Sequence, residues 1–270
     1  MRKSTIIAWM AALALVFALA LMAGCGGGNS GEDGPNPTPA PTPGADPTPA
    51  PSTDPEPAAD PNEKLRETFM QLKGTERAEI LVNGTLEAAY LGKAAQDYRV
   101  LYYVEEDEIL NAYENGKGQV AHYAMEYFGI DESLLSKEVL GQFTDMIGEL
   151  LKFRYIEVGP AAFNGESYEV MVKVHPIDTL GLIGSSALMD AWSAKEAIEK
   201  TEGKTAAEDS FAKACIEEMQ KVKSRTDTLD GIVVMVPVKA GDDGMMWITD
   251  TAPLDQIDKL VIKCEYPDAS

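Results

Sequence analysis

Histidine and cysteine are scarce in this chain, with two of the first and three of the second in 270 residues. A structural zinc site needs four such ligands at close spacing, and His122 and His175 stand far apart. No metal centre and no cofactor are therefore expected. Basic residues are the second shortage. The 23 Lys and Arg face 44 Asp and Glu, a net charge of −21. That balance repels nucleic acid and anionic headgroups, and nucleic acid is excluded as a partner. Long apolar runs are the third. One exists, at residues 6–25, and everything after it is too polar to cross a bilayer.

That single run has a definite layout. Arg2 and Lys3 precede it, residues 6–20 carry no charge, and it closes on Leu21-Met22-Ala23-Gly24-Cys25. A basic start, an apolar middle and small residues at the end are the parts of an export signal. The cysteine directly after the small residues resembles a bacterial lipobox, with Met22 where Leu is usual. The resemblance implies cleavage after Gly24 and lipidation of the Cys25 thiol, so residues 1–24 are read as a lipoprotein signal peptide. The competing reading is an uncleaved signal anchor, since the run is long enough to span. Either one places the rest of the chain on the extracytoplasmic side of the cell membrane.

Residues 25–62 follow as a linker. Eleven of the sixteen prolines fall there, in repeats such as Pro-Thr-Pro and Pro-Ala-Pro, together with six acids and no Lys or Arg. Without a large apolar residue such a segment has nothing to bury, so it is expected to stay disordered. Its reach runs from about 35 Å as a coil to about 115 Å in extended polyproline form.

The remaining 208 residues, 63–270, are long enough for one core or two small ones. Apolar spacing predicts helices over 63–73, 75–93 and 96–114, a turn at Asn115-Gly116-Lys117-Gly118, and a helix over 119–128. The clearest helix is 132–152, where Leu135, Val139, Phe143, Met146 and Leu150 form one stripe. Strands follow at 153–158 and 167–174, around a loop at 159–165. Val170, Val172 and Val174 share one face of the second strand. Helices over 186–200 and 206–224 come next. Leu188, Trp192 and Ile198 are expected to face inward from the first, and Phe211, Cys215, Met219 and Val222 from the second. Strands at 231–239, 245–249 and 259–265 complete the chain. The expected class is α+β, with helices packed on antiparallel curved sheet and two similar helix-plus-strand-pair halves, 63–178 and 179–270.

The order of lipobox, polar linker and helices, then Tyr168-Glu-Val-Met-Val-Lys-Val174 running into Pro176-Ile-Asp178, resembles uncharacterised Gram-positive surface lipoproteins. The stretch Gly244-Met-Met-Trp247-Ile248, followed by an Asp, resembles the closing strands of cystatin-like or nuclear-transport-factor-like α+β domains. The resemblance implies a fold and a location. It brings no functional residue with it.

Chemistry-bearing residues are few. Glu105-Glu106-Asp107-Glu108 fans around a helix and reads as a solvated face, because adjacent helical positions do not converge on one ion. Asp242-Asp243 reads as a hairpin turn. His175 and Asp178, with Ser185 and Ser186 nearby, hold the residue types of a hydrolase. However, Gly184-Ser185-Ser186-Ala187 lacks the glycine that a nucleophile elbow needs after its serine, and turn-shaping accounts for the Pro and Asp. Tyrosines 90, 98, 102, 103, 113, 123 and 127 crowd the first helices, where they either pack between helices or line a groove. Cys215 and Cys264 both point toward the expected core, so a disulfide and two reduced thiols remain open alternatives. The functional expectation is a membrane-anchored lipoprotein, not an enzyme, with a binding or structural role at the cell envelope. Its partners would be the membrane, through the lipid, and an envelope protein or small-molecule ligand. A solute-binding receptor for a transporter and an envelope hydrolase are the alternatives.

Overall fold

The structure is a computed structural model that describes residues 62–225 and 228–264. These belong to a compact unit of Pro57–Ser270 that is distinct from Met1–Glu56. Cys25, the signal segment and the linker up to residue 61 thus lie outside the described residues.

The described chain carries eight α-helices and four strands. The helices are α1 (Glu63–Met70), α2 (Gly74–Leu91), α3 (Gln96–Tyr102), α4 (Glu106–Phe128) and α5 (Lys137–Leu151). After them come β1 (Tyr155–Phe163), β2 (Tyr168–His175), α6 (Ser185–Glu202), α7 (Lys204–Val222), β3 (Ile232–Ala240), β4 (Met246–Ile248) and α8 (Ala252–Val261). The fold is α+β, as the sequence predicts. Strands pair antiparallel in the order β1-β2-β3-β4. Because β2 pairs with β3 over seven residue pairs, both expected halves feed one sheet.

Alternation explains the sheet's inner face. Val170, Val172 and Val174 of β2 stand opposite Val236, Val234 and Ile232 of β3. All of them but Ile232 are 3% exposed or less. β-branched side chains fill such a pleated surface well. Helices α2 and α8 lie on this face, α4 packs on both of them, and α5 and then α7 continue the stack. The stripe Val139, Phe143, Met146 and Leu150 of α5 is buried, as are Phe211, Cys215, Met219 and Val222 of α7.

Five local expectations are corrected. The helix over 96–114 is two, because Tyr103 takes a left-handed conformation (φ 54°) and ends α3. The turn at Asn115–Gly118 is instead the middle of α4. Gly116 is there because α2 crosses at that point. A Cβ on it would lie 2.5 Å from the Ala89 carbonyl oxygen. Residues 159–163 are strand rather than loop. β1 absorbs Gly159 and Pro160 through a register shift between Val158 and Ala161, a bulge. At that irregularity the Ala161 N–H donates to Glu79 of α2 at 2.8 Å. The final strand over 259–265 does not form among the described residues, since Lys259, Leu260 and Val261 are the last turn of helix α8. Its Pro sits in the first turn, where a missing N–H costs nothing, and Ile257, Leu260 and Val261 form its buried side. Only Ile262 keeps a sheet-like contact, a bridge to Ile177. Finally, α6 buries no residue and leaves Trp192 44% exposed. Of its expected inward set, Leu188 packs against the core and Trp192 meets the core residue Phe211 edge-on, with ring centroids 5.3 Å apart.

Candidate functional site

The sheet's outer face is the first region of interest. The register that sends the valines inward sends Tyr155, Glu157, Lys173, His175, Val233, Met235 and Trp247 outward. Tyr155, Val233, Met235 and Trp247 are each between 44% and 52% exposed. Polar residues are the usual choice at such positions on a one-sided sheet. The apolar members therefore stand out.

One corner of this face is polar. The His175 ring contacts Glu157 through Nε2 (3.1 Å) and the Leu229 carbonyl through Nδ1 (3.2 Å). The Tyr155 ring lies on it with centroids 4.6 Å apart. A hydrogen bond from Tyr155 and then the one from His175 hold the Glu157 carboxyl below its ordinary range. Asp178, the residue that would orient His175 in a hydrolase, instead packs over Gly181, and Ser185 and Ser186 begin α6. The His–Asp–Ser set is thus not brought together. His175 ties the ends of β1 and β2 to the chain entering β3.

The second region is a shallow cleft of about 420 Å³ beside Tyr113, Lys117, Gln142, Asp145, Glu149 and Lys152. Lys117 is only 7% exposed. Its ammonium donates to Glu114 (3.1 Å) and to Asp145 (3.2 Å), and lies 5.3 Å from the Tyr113 ring centre. Burial disfavours the charge, but the two carboxylates outweigh it and the ammonium is held above its ordinary range. Gly148 leaves room for the side chain, since a Cβ there would sit 2.9 Å from Lys117 Cδ. Sequence reading misses this residue by placing it in a turn. The signal was its place three residues after Glu114 in an unbroken helical register.

A second inner ion pair joins α6 to α7. Lys195 Nζ lies 2.8 Å from Glu208, which is 3% exposed and also accepts from the Asp131 N–H at 2.8 Å. The same ammonium lies against Trp192 (4.7 Å) and Phe211 (5.1 Å). This ion pair fastens α6 to α7 beside the edge-on contact of the Trp192 and Phe211 rings.

Two of the tyrosines pack inside, while Tyr113 lines the cleft. Tyr90 and Tyr102 are buried, and each spends its hydroxyl on a distant partner. Tyr102 donates to the Arg77 carbonyl at 2.8 Å and Tyr90 to Asp258 at 2.6 Å. Tyr123 donates to Asp255. Tyr103 is exposed beneath the Arg66 guanidinium at 3.8 Å. The acidic run caps α4, with the Glu105 N–H donating to Glu108 at 2.8 Å. Asp243 accepts from the Met245 N–H inside the β3–β4 turn. Among the described residues there is no group of three or more His, Cys, Asp or Glu placed to hold a metal. Cys215 and Cys264 carry free thiols, and burial pushes both up to about 12. Cys264 follows helix α8 rather than lying on a strand, and it packs against the core as expected.

No known family matches the chain, and no curated protein matches it. One solved structure is similar, the crystal structure of a candidate lipoprotein, ycdA, from Bacillus subtilis subsp. subtilis strain 168. The two are 16% identical, with a TM-score of 0.48, over 75% of this chain and 60% of that one. This chain thus spans 60% of that neighbour's length. A likeness of that size transfers neither family nor role, and it lends no support to a cystatin-like or nuclear-transport-factor-like fold. Among the described residues no helix is long and apolar enough to cross a membrane.

Proposed function

We propose that this chain is a lipoprotein held at the cell membrane through Cys25, with its α+β unit on the extracytoplasmic side and a binding or structural role at the envelope. The observation that carries the reading is Cys25 itself, placed directly after Ala23-Gly24 at the end of the one apolar run. A diacylated cysteine supplies two chains, the number that stable anchoring requires. The acidic remainder adds no attraction to an anionic bilayer, so the lipid alone must hold it. Two features weigh against the alternatives. The described unit is built on one four-stranded antiparallel sheet rather than on the paired α/β lobes of a solute receptor. The residues of the hydrolase reading are spent on structure, His175 on Glu157 and Leu229.

The test is metabolic labelling with a fatty acid analogue, combined with fractionation and protease treatment of intact cells. The wild-type chain is expected to carry label, to sediment with membranes and to lose its α+β unit to external protease. Cys25→Ala should carry no label and leave the membrane or accumulate as precursor. Unchanged labelling of that variant would refute the reading.

A further inference from the structure

The outward residues of the sheet form one connected band. Along β3, Val233, Met235 and Pro237 share the outer face, and Met171 of β2 stands opposite Met235. Val233 and Met235 are 52% and 44% exposed. The band continues onto β1 because Gly159 has no side chain. A Cβ there would lie 2.5 Å from Met171 Cε, so the Met171 methyl group lies down over the neighbouring strand. Gly231, just before β3, gives the same room to Lys173 and His175. A Cβ on it would meet Lys173 Cγ at 2.8 Å and His175 Cε1 at 2.9 Å. The Lys173 stem is thus laid along the sheet and adds its apolar atoms to the face. Past Pro237 the band reaches Trp247 of β4, which pairs with Lys239. Single exposed apolar residues are ordinary, but a connected band of them marks a surface that is covered in use.

Charge on this face differs from that of the chain as a whole. The sequence has 44 acids against 23 bases, so two copies repel each other. The outer positions of the strands instead set Lys173 and Lys239 against Glu157 and Glu169. Lys173 acts on Glu157, and Lys239 donates to Glu166 of the β1–β2 turn at 2.9 Å. Repulsion between copies is therefore least when these faces meet. The balance also leaves no basic excess to attract an anionic membrane. Met171 and Lys173 fill the places where the glycines would open a groove for a bound helix. The seven β2–β3 pairs span about 24 Å and the four strands about 19 Å, roughly 450 Å² in plan. Two such faces together lie at the small end of protein interfaces, where partners associate reversibly.

We propose that the outer face of the sheet is a self-association surface, on which two copies of this chain pair sheet against sheet about a two-fold axis. A two-fold contact presents the same patch from both sides. The apolar band then covers itself, and the lysines of one copy face the glutamates of the other. Sheets packed in this way stand about 10 Å apart, with side chains of both filling the space. The inference is independent of the anchoring by Cys25.

The experiment is cysteine crosslinking of the full chain in intact cells, using a membrane-permeant bis-maleimide of about 10 Å span to match that spacing. Val233→Cys and Met235→Cys should each give a product of twice the chain mass. Chance encounters are measured with the wild-type chain and with Met189→Cys, a position 69% exposed on α6, which packs on α7. Adding Met235→Glu to Val233→Cys sets a carboxylate from each copy against an apolar surface, and should cut the product about tenfold or more. Trp247→Glu, at the other end of the band, should act in the same direction. Met235 and Trp247 are both exposed, so thermal melts of these variants should match the wild type. The proposal is overturned if Val233→Cys and Met235→Cys crosslink no faster than Met189→Cys, or if neither glutamate reduces the product. A crosslink to a different protein, with none between copies, would also overturn it and assign the face to that partner.

Discussion

The Tyr90 hydroxyl on α2 donates to the Asp258 carboxyl on α8 across 2.6 Å, joining residues 168 positions apart. The linkage has a definite sign. Asp258 has its carboxyl raised to about 7 in the folded chain, against an ordinary value near 4. Between those values the folded state holds the proton and the unfolded state does not. Stability from this group is therefore full at low pH, declines as pH rises through about 7, and is level beyond. Denaturant unfolding should show a wild-type stability that falls relative to Asp258→Asn by on the order of 3 kcal/mol between pH 4 and pH 8. A constant difference between the two would contradict it.

Two glycines of α4, two positions apart, should respond oppositely to the same change. At Gly116 an added methyl would meet the Ala89 carbonyl oxygen at 2.5 Å, and backbone is slow to yield. At Gly118 no heavy atom lies within 4 Å. Gly118→Ala should gain about 0.5–1 kcal/mol from helix propensity, whereas Gly116→Ala should lose about 1–3 kcal/mol through overpacking against α2. Paired thermal melts decide this.

The two inner lysines should differ as well. Glu208→Ala strands the Lys195 ammonium, whose side chain is 14% exposed, and deprives the Asp131 N–H of its acceptor. A cost of about 3 kcal/mol is expected. Lys117→Met leaves behind Glu114 and Asp145, whose side chains are 64% and 78% exposed, so water takes over their solvation. Its cost should stay within about 1 kcal/mol.

Thiol chemistry checks the cysteines. With both Cys215 and Cys264 raised to about 12, neither should react with a thiol-directed reagent at pH 8 in the folded chain. Denaturation without reductant should release two reactive thiols from the unit. A count of none would establish a bond between them.

Legibility in the sequence followed the strength of local pattern. β2, β3, α5 and α7 were readable because their buried residues repeat at two or at three to four positions without interruption. Where a neighbour's backbone decided the outcome, the local pattern misled. Gly116 looks like a turn residue, yet its bare α-carbon is what α2 requires at their crossing. Gly159 and Pro160 look like a loop, but a bulge carries β1 across them. In α8 the β-rich run Leu260-Val-Ile-Lys-Cys264 outweighed the helical spacing of Leu254, Ile257 and Leu260. The Tyr90–Asp258 contact was invisible, since nothing in either local stretch specifies a partner so far along the chain. Of the site expectations, Cys25 rests on its sequence setting, while Tyr90, Tyr102, His175 and Glu105–Glu108 spend polar groups on contacts within the fold.

The irregular middle of β1 has one further consequence. It is the sheet's long outer strand, and an outer strand presents free N–H and C=O groups to any passing chain. Here Pro160 has no N–H to offer, the ladder shifts register beside it, and the next N–H, at Ala161, is taken by Glu79. Copies crowded together at high density would find no continuous template on this margin. Strand-by-strand growth into fibrils is interrupted at its starting point, so close company need not lead to aggregation.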